Sequence, residues 1–252
     1  MSQLLETRKL TKRFGGLVAV GELDFHIEEG EILGLIGPNG SGKTTFFNVV
    51  TGFLKPSRGK IIFNGHDITN HQPHKIAKRG IVRTFQLNLL FSSFSVLDNV
   101  RLAFYLHRTK GPVSAFLNTA ASRREEQALT ERAMEILDFA GMVDRKDQLA
   151  SELSYGWQKT LTLAIGVATD PTLLLLDEPL TGISPSRVEA ITNLIKMANK
   201  HGVTICMIEH NVKLIMGLCE RIVALNFGEK IADGLPEEVA HNKEVIEAYL
   251  GR

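Results

Sequence analysis

Only two cysteines occur in 252 residues, Cys206 and Cys219, at a spacing that suits neither a metal clasp nor a redox dithiol. A disulfide scaffold is therefore excluded. Both thiols read as reduced packing residues, Cys206 inside the apolar run Val203-Thr204-Ile205-Cys206-Met207-Ile208. An excess of charge is missing too: 29 basic against 28 acidic residues leave a formal +1, too little to gather nucleic acid or an anionic membrane over the whole surface. No apolar stretch is long enough to cross a bilayer. The longest uncharged run, Thr84 to Leu97, spans 14 residues and carries Gln86, Asn88 and three serines, so any membrane role must pass through a partner. Charges at Glu6, Arg8 and Lys9 stand where a secretory signal needs its apolar stretch, and the cytosol is the expected compartment. Repeats, low-complexity tracts and long linkers are also missing, while 44% apolar content is ample for one large domain or two small ones.

The chemistry that is present is concentrated. Gly37-Pro38-Asn39-Gly40-Ser41-Gly42-Lys43-Thr44 comes directly after Glu31-Ile32-Leu33-Gly34-Leu35-Ile36, an apolar run that reads as a buried strand. Glycines let backbone N–H groups converge on phosphates, Lys43 brings a point charge to the β- and γ-oxygens, and Thr44 offers a hydroxyl to Mg²⁺. The next residues, Thr45-Phe46-Phe47-Asn48-Val49-Val50, lack Gly and Pro and suit a helix whose N-terminus faces the anion. A nucleoside triphosphate is the expected ligand, with Asn39, Gly40, Ser41, Gly42, Lys43, Thr44 and Thr45 around it. A second strand-like run, Thr172 to Leu176, ends in Asp177-Glu178-Pro179. On a parallel sheet the C-terminal strand ends line the ligand crevice, so Asp177 is placed for the Mg²⁺ shell and Glu178 for the attacking water. Two acids merely solvating a strand end are the alternative.

Short β-like runs alternate with turns over the first 65 residues, including Phe25-His26-Ile27 and Lys60-Ile61-Ile62-Phe63. From Ser122 to Ala140 the spacing of Leu129, Ala133, Ile136, Leu137 and Ala140 predicts an amphipathic helix. Leu173–Leu176 and Val203–Ile208, separated by a helical stretch from Ser186 to Lys200, read as parallel strands joined by a crossover. The architecture is α/β with an inserted helical section, and Arg108 to Ser122 reads as a mobile loop. His66, His71 and His74 crowd one turn segment, which reads as a solvated loop rather than a metal site.

Leu153-Ser154-Tyr155-Gly156-Trp157-Gln158-Lys159, taken with the loop and the acidic strand, resembles the signature of ABC ATPases, usually Leu-Ser-Gly-Gly-Gln. Leu153, Ser154 and Gly156 carry over directly. Tyr155 is similar to the variant in hydrophobic amino acid uptake ATPases, and Trp157 departs from the usual Gln. The resemblance implies a P-loop NTPase (RecA-like) core with an antiparallel β subdomain and an inserted α-helical subdomain. One ABC ATPase domain would fill residues 1–252, its core at about 1–86 and 160–252 and the helical part at about 87–159. It further implies that Phe14 stacks on adenine with Val20 beside it, and that Gln86 reaches Mg²⁺ and water. His210 would contact the γ-phosphate, and Ser154 and Gly156 would meet a γ-phosphate held by an opposite subunit. Ser184 stands in Leu180-Thr181-Gly182-Ile183-Ser184 where many members carry Asp or Asn.

Gly15 to Val20, Arg83-Thr84-Phe85-Gln86 and the tail Val245 to Gly251 resemble the branched-chain amino acid uptake subgroup. That likeness implies an ATP- and Mg²⁺-dependent ATPase subunit of an importer, peripheral on the cytoplasmic face of the cell membrane. It would pair head to tail with a second copy or a paralogue, bind permease subunits, and serve an extracellular or periplasmic binding protein indirectly. Leu87 to Phe94 is either core of the helical part or a groove for a permease helix. Lipid or lipopolysaccharide export is the rival reading. A DNA-associated ABC ATPase is disfavoured, because only 109 residues separate Thr44 from Ser154 and no heptad array or basic stripe intervenes.

Overall fold

Two twelve-residue strands open the chain, β1 (Gln3–Phe14) and β2 (Leu17–Glu28), paired antiparallel. Along β2, buried Leu23, Phe25 and Ile27 alternate with exposed Asp24 and partly exposed His26, the period of a strand with one face on a core. The structure is a computed structural model that describes residues 2–84, 90–105, 120–209 and 212–250. Of the expected mobile loop, residues 108–119 lie outside the described residues, and the remainder already belongs to a helix.

The chain divides into two units. The first comprises Met1–Arg83, Thr172–Thr181 and Gly202–Arg252. Its smaller sheet runs in the order β2-β1-β4-β5, with β4 at Arg58–Phe63 and β5 at His66–Asp67, all antiparallel. The larger sheet adds β3 (Ile32–Ile36), β6 (Ile81–Thr84), β7 (Leu173–Asp177), β8 (Thr204–Ile208), β9 (Arg221–Asn226) and β10 (Glu229–Gly234), in the order β10-β9-β3-β8-β7-β6. Every residue of β3, β7 and β8 is buried, and β3 pairs parallel with both β8 and β9. Continuous apolar runs such as Leu173-Leu174-Leu175-Leu176 are what strands covered on both faces require. Helices α1 (Lys43–Val50), α2 (Pro73–Ala77), α7 (Val212–Leu218), α8 (Pro236–Ala240) and α9 (Lys243–Leu250) complete this unit. Helix α7 approaches β3 at Gly34, where a Cβ would lie 2.8 Å from Ile215 Cγ2 and 3.1 Å from Cys219 Sγ.

The second unit, Thr84–Pro171 and Gly182–His201, is helical. It holds α3 (Val96–Tyr105), α4 (Ala120–Phe139), α5 (Tyr155–Ala168) and α6 (Pro185–Lys200). Buried Ala133, Ile136 and Leu137 on α4 meet the apolar stripes of α3, α5 and α6, as their 3–4 residue spacing demands. Helix α5 runs unbroken through residues 159 and 160 and packs on α3 along with α4, so packing keeps the whole of α5 in the helical unit. The expected α/β core, antiparallel sheet and helical section are all present.

Candidate active site

Strand β3 delivers the phosphate loop. At its end Gly37 has φ 147°, and a Cβ there would fall 2.2 Å from Leu225 O. Gly42, φ 102°, caps α1, and a Cβ there would fall 2.3 Å from Ala19 O. Any side chain at either position would strike backbone, which is why glycine is required. The first amides of α1 have no intrahelical acceptors and open onto the loop, the first internal bond being Phe46 N–H to Gly42 O at 2.8 Å. They line a cavity of about 470 Å³ that also takes in Asn39, Gly40, Ser41, Thr44, Thr45 and Glu178.

Lys43 is buried and folded back on its own loop, donating to Gly37 O at 2.7 Å, Pro38 O at 2.9 Å and Ser41 Oγ at 3.2 Å. Burial lowers its pKa from the ordinary lysine value, against the opposing pull of Glu178 and Asp177. Asp177, at the end of β7, is buried and holds Arg83 through Oδ2 at 2.6 Å, while Arg83 also donates to Asn48 Oδ1 at 2.6 Å. The other oxygen, Oδ1, is buried with no hydrogen-bond partner among the described residues. An orphaned carboxylate oxygen, together with the Thr44 hydroxyl at the start of α1, is a hard oxygen donor set, and the residues present fit Mg²⁺. Glu178 comes next with φ 51°, left-handed for a non-glycine, and its N–H is tied to Ile208 O at 2.9 Å.

Several neighbours carry no sequence signal of their own. Arg83 stands in the sequence only as part of a motif, yet it is the cation that β6 sets beside Asp177. Buried Glu209 accepts the Leu180 N–H at 2.6 Å and holds the loop after Glu178. Phe227 projects into the cavity from the β9–β10 hairpin, whose turn residues Phe227 and Gly228 have φ 45° and 84°. A Gly-containing turn between strand-like runs is the one signal that could have found it.

Around the same cavity Phe14 is 47% exposed, Leu17 67% and Phe227 82%, a set of bare apolar side chains. Val20, expected beside the base, is instead fully buried in the core, and Leu17, Val18 and Ala19 form the wall. The cause is a register shift: Leu10 pairs with Leu23 but Lys12 with Val20, so β2 carries one extra residue at Gly21–Glu22, where Glu22 has φ 41°, and Val20 falls on the buried face with Leu23.

The signature lies in the helical unit. Ser154 is the exposed N-cap of α5, and its hydroxyl caps none of the helix amides. Gly156 comes two residues later, with Arg187 Cδ 3.0 Å from where a Cβ would sit. The Trp157 ring lies between two guanidiniums, Arg187 Cζ at 3.4 Å and Arg145 Cζ at 4.6 Å from its centroid, so the departure from Gln is absorbed by a stack inside the unit. Gln86 and His210 lie outside the described residues, as do Leu87 to Leu89. Phe91 and Phe94 are exposed, stacked at 5.5 Å beside a groove of about 460 Å³, and are not core. Buried Asn99 holds this turn, accepting Phe91 N–H at 2.9 Å and donating to the carbonyls of Phe91, Phe94 and Ser95. Among the described residues no helix is long and apolar enough to cross a membrane.

A phosphate loop on a central parallel strand, an acidic strand end beside it and a signature helix in a separate helical unit define a class. Residues 20–181 match the ABC transporter family, and the chain belongs to it as one of its ATPase subunits. Residues 229–252 match a further family, the branched-chain amino acid ATP-binding cassette transporters. Over 253 residues the chain is 42% identical to the high-affinity branched-chain amino acid transport ATP-binding protein LivG of Salmonella typhimurium, covering 100% of this chain and 99% of that one. It is 40% identical over 249 residues to the high-affinity branched-chain amino acid transport ATP-binding protein BraF of Pseudomonas aeruginosa, covering 98% of each. Among solved structures, the ADP conformation of an ATP-binding cassette of an ABC transporter matches with a TM-score of 0.83 at 30% identity, covering 100% of both chains.

Proposed function

We propose that this chain is the ATP-hydrolysing subunit of an importer for branched-chain or other hydrophobic amino acids, working peripherally on the cytoplasmic face of the cell membrane. The observation that carries the reading is that Lys43 and Glu178 line one cavity at the end of β3, with Asp177 next in the chain to Glu178 and near enough to act on the charge of Lys43. The relatives named as branched-chain amino acid transport proteins support the cargo class. Phe14, with Leu17 and Phe227, offers the apolar surface on which a purine stacks. Asn39 to Thr45 wrap the phosphates with backbone amides, and Lys43 leaves Gly37 O for the β- and γ-oxygens.

Thr44 and Asp177, with Gln86 from the family resemblance, are the residues that would hold Mg²⁺. The ion, when bound, neutralises charge developing on the transferred phosphoryl group. Glu178 orients and deprotonates the attacking water, and His210 stabilises the γ-phosphate. Ser154 and the Gly156 amide, open at the start of α5, take the γ-phosphate held by a second subunit, a copy or a paralogue docked head to tail. Neither chain alone completes a site, so hydrolysis releases the pair and the permease changes its facing side. Exposed Phe91 and Phe94 beside their groove suit a short cytoplasmic helix of that permease, and the binding protein is reached only through it.

Reconstitution with the permease that co-purifies from the native membrane tests this. ATP-driven uptake of leucine, isoleucine or valine into vesicles is expected, abolished by Lys43→Ala. ATP-driven movement of lipid with no amino acid uptake would reject the import reading.

A further inference from the structure

Helix α9 reaches the phosphate loop through Tyr249. The hydroxyl of Tyr249 accepts the N–H of Gly37 at 2.9 Å, while the carbonyl of Gly37 accepts Lys43 Nζ at 2.7 Å. The first residue of the loop is thus held from two directions, by the tail and by the lysine that serves the phosphates. Gly37 is itself buried against Leu225 O with no room for displacement on that side. Though 40% of Tyr249 stays exposed, partial burial raises its pKa above the ordinary phenol value, against the lowering effect of the Gly37 bond, so the hydroxyl keeps its proton at neutral pH and accepts through a lone pair. The two bonds behave differently when a triphosphate arrives. Lys43 must leave the Gly37 carbonyl to reach a phosphate oxygen, whereas the Gly37 N–H already has its acceptor in Tyr249.

We infer that Tyr249 is a positioning residue of the nucleotide site: the C-terminal helix anchors the entrance of the phosphate loop through the Gly37 N–H and keeps the loop amides aligned once Lys43 has moved. This rests on the reading of the loop as the ATP site. Without the hydroxyl the buried Gly37 N–H loses its acceptor, and the loop must reorder on each binding event.

The test compares the full chain with Tyr249→Phe and Lys43→Ala, measuring Mg²⁺-ATP affinity, steady-state hydrolysis and melting temperature. Phenylalanine keeps the ring and removes only the acceptor. Tyr249→Phe is expected to weaken ATP binding and raise KM about three- to tenfold, the effect of one hydrogen bond, with kcat within about twofold. The amide resonance of Gly37 should shift and exchange faster. If Lys43→Ala leaves ATP binding intact, the site reading itself fails and the anchor with it. If Lys43→Ala weakens binding while Tyr249→Phe binds as tightly as the parent chain, the anchor alone is overturned. A loss of kcat and melting temperature with unchanged KM also overturns it, by making Tyr249 a packing residue.

Discussion

At the residue scale, the charges of the site are already engaged before any ligand arrives. Arg83 and Asp177 are each almost wholly buried, their side chains 6% and 2% exposed, and removing one partner strands the other. Arg83→Met is expected to destabilise the chain by about 3–5 kcal/mol, visible as a lower urea midpoint. Glu178→Gln should retain ATP and hold a dimer by light scattering while turnover falls about 10²- to 10⁴-fold. Hydrolysis near the parent rate would remove Glu178 from the role of base. The loop and the two carboxylates are legible in the sequence because their chemistry lies in local spacing. Arg83 beside Asp177, buried Glu209 and the inward turn of Val20 are not. They depend on which strands become neighbours and on one bulge, and neither leaves a local pattern.

At the element scale, helix spacing and buried strands can be read directly, and α4, α6, β7 and β8 fall within two residues of expectation. The β9–β10 hairpin is harder to see, because six-residue strands around a two-residue turn resemble any short apolar alternation until a partner strand is known. Two small devices hold the helical unit in shape. Asn99 gathers the backbone of residues 91–95, so Asn99→Ala should cost about 2 kcal/mol and expose the Phe91 amide to faster hydrogen exchange. Trp157, between Arg145 and Arg187, splints α5 to α6. Trp157→Gln restores the usual signature residue but removes both stacks, and a loss of about 1–2 kcal/mol in denaturation is the expected result.

At the scale of the whole molecule, one ionic knot ties distant parts of the first unit. Arg221 on β9 bonds both oxygens of buried Glu31, Asp233 on β10 and the His26 carbonyl on β2. Burial pushes the Asp233 pKa up, but Lys230 and Arg221 outweigh it and the net direction is down. A depressed folded pKa means that the stabilisation is complete above the unfolded carboxylate value of about 3.9 and is lost as pH falls through the lower folded value. Urea stability should therefore decline from about pH 4 downward, and Asp233→Asn should flatten part of that slope. The position of β3 has a consequence for synthesis on the ribosome. This strand ends at residue 36, yet both of its parallel neighbours begin only at residues 204 and 221. At roughly 5–20 residues per second it stays bare for on the order of ten seconds or more. The nascent chain must carry this apolar strand without its parallel partners for that interval, which makes it a natural client for chaperones that shield exposed edges during translation.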